Sequence, residues 1–171
     1  MKIRIAGMVN DSIVDGEGIR FVVFVQGCVH SCDGCHNPQT HDFCGGFETD
    51  TEEILSKILS NPLLDGVTFS GGEPFCQPVP LYELGSRIKE NGLNIVCYTG
   101  FTFEQLLERS KKDKDILNLL SICDVLIDGP FILSKKNLLL RFRGSENQRI
   151  LDVKKSISEE RAVLFYSDEK F

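Results

Sequence analysis

The stretch Arg20-Phe21-Val22-Val23-Phe24-Val25-Gln26-Gly27-Cys28-Val29-His30-Ser31-Cys32-Asp33-Gly34-Cys35 decides the fold and points to the site. Its first part is a short, continuous apolar run that ends in glycine. The length and the β-branched content predict a strand buried on both faces. Directly after it, Cys28, Cys32 and Cys35 fall within eight residues, spaced C-x3-C-x2-C. Four local thiols would close a metal site. Three leave one coordination position for a substrate, as in a four-iron cluster with three protein thiolates.

Working outward, similar runs recur at Gly66–Ser70, Leu93–Tyr98 and Cys123–Asp128. Helical patterns lie between them. Thr49-Asp50-Thr51-Glu52 predicts a capping box, followed by Ile54, Leu55, Ile58 and Leu59 at helical spacing. Leu81, Leu84 and Ile88 form a second stripe, closed by Asn91-Gly92 as a left-handed cap. Thr102-Phe103-Glu104-Gln105 predicts another capping box, opening a helical region towards Ile122.

Strands alternating with helices imply an α/β fold with parallel pairing and right-handed crossovers. A closed eight-unit barrel needs roughly 250 residues. The 171 residues suit an incomplete, open β/α barrel of about five to six units, with a doubly wound sheet as the alternative. Residues 1–171 read as one domain, without repeat or linker. In either fold, ligands sit at the carboxyl ends of the strands. The unusual residues fall there: Cys28, then Gly71-Gly72-Glu73-Pro74, Thr99-Gly100 and Asp128-Gly129-Pro130.

A formal charge of −6 and a pI near 5.1 argue against a nucleic-acid footprint. Lys111, Lys112 and Lys114 alternate with Asp113 and Asp115 and read as a solvated helix end. The amino-terminal residues are too charged for a signal peptide, and no apolar stretch has the length to cross a bilayer. The expectation is a cytoplasmic protein without a membrane partner. Seven cysteines, an odd number in a reducing compartment, argue against a disulfide framework. Cys97 and Cys123 lie in apolar runs and read as small hydrophobes; Cys44 and Cys76 are closer to the rim.

The triplet also admits a structural zinc site with His36 or Cys44 as fourth ligand, although no second close pair exists in the chain. His36 reads as a neighbour that orients the cluster or a bound ligand. His30 and His41 read as ordinary loop residues. Ser70-Gly71-Gly72-Glu73-Pro74 is a turn by itself. Its glycines also let backbone approach a ligand, and Glu73 suits an ammonium group. Ser12–Arg20 is a glycine-rich loop before the strand, expected to line the same site.

Cys28-x3-Cys32-x2-Cys35-His36-Asn37 with Gly71-Gly72-Glu73-Pro74 resembles the radical S-adenosylmethionine superfamily. Asp15-Gly16-x-Gly18-Ile19-Arg20 is similar to the activating enzymes of glycyl-radical proteins. Asp128-Gly129-Pro130-Phe131 and Arg143-Gly144-Ser145-x-Asn147-Gln148-Arg149 resemble the group that activates anaerobic ribonucleoside-triphosphate reductases. The likeness runs from about Ile13 to Val153; residues 154–171 carry no motif. Two departures stand out. Gly34 occupies a position that is aromatic in many superfamily members, and Glu17 one that is proline in many activating enzymes.

The resemblance implies a radical S-adenosylmethionine oxidoreductase. Cys28, Cys32 and Cys35 would hold three irons of a 4Fe-4S cluster, and S-adenosylmethionine would chelate the fourth. One electron from a small donor such as flavodoxin or ferredoxin would cleave the ligand. The resulting 5′-deoxyadenosyl radical would take a hydrogen atom from a glycine on the reductase large subunit. By the same resemblance Gly71, Gly72 and Glu73 receive the amino group of the ligand. Gly34, Cys35 and His36 flank the ligand, and Thr99 and Asp128 are rim contacts. No residue acts as general acid or base, because cluster and ligand carry the chemistry. Arg141, Arg143 and Arg149 are candidates to meet acidic groups on the partner. The alternatives are activation of another glycyl-radical enzyme such as pyruvate formate-lyase, a small-molecule radical enzyme, or a zinc-binding interaction module.

Overall fold

The structure is a computed structural model and describes residues 1–166. Seven strands form one sheet: β1 (Lys2–Ser12), β2 (Arg20–Val25), β3 (Phe47–Asp50), β4 (Gly66–Gly71), β5 (Asn94–Tyr98), β6 (Val125–Asp128) and β7 (Arg149–Asp152). Their order is β3-β1-β2-β4-β5-β6-β7. β2, β4, β5 and β6 run parallel, while β1, β3 and β7 pair antiparallel with their neighbours. Among the described residues the outer strands β3 and β7 do not pair with each other, so the sheet is open. The fold is the open β/α arrangement expected from the sequence.

Five helices, α1 (Thr51–Leu59), α2 (Pro78–Glu90), α3 (Phe103–Ser110), α4 (Lys114–Ile122) and α5 (Val153–Glu159), pack on one face of the sheet. Alternation along the strands explains the burial of β2, in which every residue but the half-buried Phe24 is buried. Phe21, Val23 and Val25 join the helix-facing core with Phe69, Cys97 and Leu126, while Arg20 and Val22 lie on the other face. Burying a side chain such as Phe69 contributes about 1.5–3 kcal/mol.

Two expectations shift by a residue or more. The cap of α1 is Asp50, whose carboxylate accepts from the Glu52 N–H at 3.1 Å. Thr49 is held extended by pairing with Ile3, and its hydroxyl donates to Glu53 instead. The helical region after Thr102 is two helices, because Asp113 caps a new start by accepting from the Asp115 N–H. The capping box at Thr102 and the left-handed Gly92 are as expected. Among the described residues no helix is long and apolar enough to cross a membrane.

Candidate functional site

The ends of β2, β4, β5 and β6 share one rim, since Val25 pairs with Gly71, Phe69 with Cys97, and Tyr98 with Ile127. The loop after β2 carries the cysteines. Its return leg is stitched to its start: the Gly27 N–H donates to the Thr40 carbonyl at 2.8 Å and the Cys28 N–H to the His41 carbonyl at 3.1 Å. Gln26, buried, donates through Nε2 to the carbonyls of Gln39 and Asp42. Left-handed Gly27, Ser31 and Gly34 supply the turns between.

Cys28, Cys32 and Cys35 line a cavity of about 130 Å³ with His36, Gly71, Gly72 and Thr99. It adjoins a second cavity of about 420 Å³; both are lined by His36, Asn37, Ser70, Tyr98, Phe131 and Gln148. The larger volume falls within the roughly 300–1,000 Å³ typical of small-molecule sites. The His30 N–H points at Cys28 Sγ (3.5 Å), a contact that favours thiolate, and the Asn37 N–H points at Cys35 Sγ (3.4 Å). Burial nonetheless raises the Cys28 thiol above its ordinary value.

Three thiols around one cavity fit a 4Fe-4S cluster in donor type and number. Two buried nitrogens in the cavity walls, His41 Nε2 and Arg143 Nε, have no partner among the described residues. Also among the described residues, no three His, Cys, Asp or Glu side chains converge as ligands of a single ion would.

The glycine turn sits against the chain itself. The Gly72 N–H donates to the Val25 carbonyl and the Glu73 N–H to the Gly27 carbonyl, both at 2.8 Å. A Cβ at Gly72 would lie 2.3 Å from the Gly27 carbonyl oxygen, so Gly72 is required by the cysteine loop before any ligand.

Glu73 departs from the expected ammonium site. Its side chain is fully buried, and both oxygens are taken by the protein. Oε1 accepts from the Phe75 N–H (3.0 Å) and the Thr99 hydroxyl (2.9 Å); Oε2 meets His30 Nε2 (2.6 Å) and the Gly100 N–H (2.9 Å). Thr99 thus reaches the site through Glu73 as well as lining the cavity. Asp128 also departs from a rim contact. It is buried, and accepts from Arg149 Nε (3.0 Å), an Arg149 terminal nitrogen (2.5 Å) and the Phe103 N–H (2.7 Å). Gly129, not Asp128, lines the cavity. Gly34 is left-handed in the cysteine loop, next to Leu133 rather than in the cavity wall.

His30 is no ordinary loop residue: besides Glu73 it packs edge-on against Phe101 at 4.4 Å. No local pattern announces it, because its partner lies 43 positions away. His41, Tyr98 and Phe131 are further wall residues. The Tyr98 hydroxyl donates to the Phe142 carbonyl at 2.8 Å, and burial pushes its pKa up.

The remaining cysteines separate by environment. Cys97 and Cys123 are buried in the core, as expected, and burial holds Cys97 protonated. Cys76 is half-buried, its thiol pushed up to about 11 by burial, then by Glu73 and Cys28. Cys44 is exposed.

A family model described as a 4Fe-4S single cluster domain matches residues 14–151. The chain belongs to this 4Fe-4S single-cluster family. Every residue of the rim described above lies within the matched span. Two relatives are anaerobic ribonucleoside-triphosphate reductase-activating proteins. That of Haemophilus influenzae is 34% identical over 149 residues, and that of Vibrio cholerae 36% over 149; each alignment covers 81% of this chain and 90% of the relative. At that identity and coverage this 4Fe-4S protein shares their family. The pyruvate formate-lyase-activating enzyme of Clostridium pasteurianum is 41% identical over 131 residues, 74% of this chain, which spans only 55% of that relative's length. Among solved structures, QueE from Escherichia coli superposes with a TM-score of 0.47 at 19% identity, over 60% of this chain and 54% of that one.

Proposed function

We propose that this protein activates an anaerobic ribonucleoside-triphosphate reductase, generating a glycyl radical on its large subunit with a 4Fe-4S cluster and S-adenosylmethionine. The observation that carries this reading is 34–36% identity over 90% of the length of several reductase-activating proteins. The rim supports it. Cys28, Cys32 and Cys35 would each hold one iron, leaving the fourth for the ligand. When bound, the cluster supplies the electron that cleaves S-adenosylmethionine to methionine and a 5′-deoxyadenosyl radical, which removes a hydrogen atom from the partner's glycine.

The chain's own residues bind, orient and shield. The backbone of Gly71 and Gly72, in the cavity floor, suits the ligand's amino group. Glu73 acts through its ties to His30, Thr99 and Gly100, which hold the turn against the cysteine loop. His36 flanks the ligand from the cysteine loop. Phe131 and Phe142 add apolar wall that keeps water from a radical. No side chain transfers a proton. The reading includes a cytoplasmic location, one domain, and a small electron donor of flavodoxin or ferredoxin type. It includes no nucleic-acid or membrane partner.

Activation of a pyruvate formate-lyase is the second reading, favoured by the 41% identity to the Clostridium pasteurianum protein. The test mixes reduced protein, S-adenosylmethionine and each candidate partner without oxygen. The proposal expects a glycine-centred doublet in the electron paramagnetic resonance spectrum of the reductase, with methionine and 5′-deoxyadenosine released. A radical formed only on the formate-lyase selects the second reading. A colourless, iron-free protein that cleaves no ligand overturns both.

A further inference from the structure

Between Asp128 and Glu146 the chain carries Lys135, Lys136, Arg141 and Arg143 and no carboxylate, although its overall formal charge is −6. This stretch leaves β6 at the rim and returns to β7 as a hairpin-like excursion. Its base is held by a bridge between Lys136 and Ser145 and by the Asn137 N–H, which donates to the Gly144 carbonyl at 3.2 Å. The Asn137 side chain shapes the turn, accepting from the Leu139 N–H through Oδ1 and donating to Glu146 through Nδ2. At the tip, Leu138 is 85% and Leu139 is 93% exposed; Leu133, at the foot, is 53% exposed. Single exposed leucines are ordinary. Adjacent ones on a hydrogen-bonded, basic loop mark an interaction surface.

The hairpin is rooted in the site. Leu140, Phe142 and Arg143 line the 420 Å³ cavity. Gly144 is wedged between loops: a Cβ there would meet His36 Cε1 and Phe131 Cδ2, each at 3.0 Å. Whatever docks on the leucines therefore stands beside the 420 Å³ cavity, which adjoins the one that the cysteines line.

We propose that this hairpin is the docking surface for the protein substrate, which offers an apolar groove bordered by carboxylates to Leu138, Leu139 and the flanking cations. The proposal rests on the activating-enzyme reading and names where its partner binds. Charge sets the chemistry of the groove, since a basic loop on an acidic protein selects an acidic patch. Position selects a substrate over other occupants. A second copy of this chain, or a lipid surface, would cover the opening that a substrate glycine must reach.

The experiment uses the full chain with its cluster reconstituted. Binding to the reductase large subunit is measured for the wild type, for Leu138→Ser with Leu139→Ser, and for Lys135→Glu with Lys136→Glu. Cleavage of S-adenosylmethionine without the partner is measured in parallel. The leucine pair should weaken binding by about tenfold or more while partner-free cleavage stays at the wild-type rate. The lysine pair should weaken binding and flatten its salt dependence. Wild-type affinity in the leucine variant overturns the docking proposal and leaves the activation reading intact. A wild type that neither binds nor activates any candidate partner overturns the activation reading, and this proposal with it. If substrate binding survives in the leucine variant while self-association or binding to phosphatidylglycerol vesicles is lost, the hairpin belongs to that other occupant and the proposal fails.

Discussion

The two ends of the parallel strands bury charges of opposite sign and use them differently. At the amino end the charge is Arg20, 1% exposed. Its Nε donates to Thr68 at 2.6 Å, and its terminal nitrogens to the Val67 and Glu17 carbonyls and to Asn94. Burial pushes its pKa down to about 10, still charged at neutral pH. These partners sit on β4, β5 and the loop before β2, so Arg20 ties strands that a ladder already joins. At the carboxyl end, where Asp128 is also buried, Glu73 ties the loops after β2, β4 and β5, which share no ladder. A buried charge between strands serves the fold, and one between loops shapes a site. The cavities agree. One of about 440 Å³ at the amino end includes Arg20, with its donors engaged, while the cavities at the carboxyl end keep three thiols and two nitrogens without a partner among the described residues.

Removing Arg20 should have the larger effect on stability. Arg20→Ala strips donors from Thr68, Asn94 and two carbonyls in a dry setting, and should cost roughly 3–5 kcal/mol in urea unfolding of the cluster-free protein. A loss under about 1 kcal/mol would break the comparison. Glu73→Gln keeps the shape but turns an amide donor towards groups that themselves donate. It should cost about 1–3 kcal/mol and weaken S-adenosylmethionine binding to the reduced cluster, with iron content unchanged. Weaker ligand binding at unchanged stability would mean that Glu73 faces the ligand instead of the loops.

The smallest effect belongs to a pair on the outer surface beside Asp128. The Arg149 guanidinium holds the Glu104 carboxyl below its ordinary value. Such a group stabilises above its unfolded pKa and loses that contribution as pH falls through its folded one. Glu104 is 56% exposed, so Glu104→Gln should cost under about 1 kcal/mol at pH 7. The gap from wild type should close as the acid range is crossed. A gap that persists at pH 2 would assign the effect to packing.

The parallel strands were legible because burial on both faces leaves uninterrupted apolar runs ending in glycine. The outer strands were not. β1 alternates only at Ile3 and Ile5 before Gly7 and a polar end, and β3 and β7 are four residues each. The cysteine triplet and the Gly71-Gly72 turn were legible because their spacing is local. The ties of Glu73 to His30, Thr99 and Gly100 were not legible because a sequence does not say whether a carboxylate after two glycines faces ligand or loop. The pairing of Asp128 was not legible because its partner Arg149 lies 21 residues away on an antiparallel strand.

On the proposed function, three thiolates of one loop hold a 4Fe-4S cluster open to a ligand. Iron and sulfide are measured after anaerobic reconstitution of the wild type and of serine variants at each of the seven cysteines. The account predicts close to four irons and four sulfides per chain in the wild type. It predicts the same in the Cys44, Cys76, Cys97 and Cys123 variants, and loss of the cluster in the Cys28, Cys32 and Cys35 variants. Full iron loading without Cys32, or a lost cluster in a folded Cys97 variant, would contradict it.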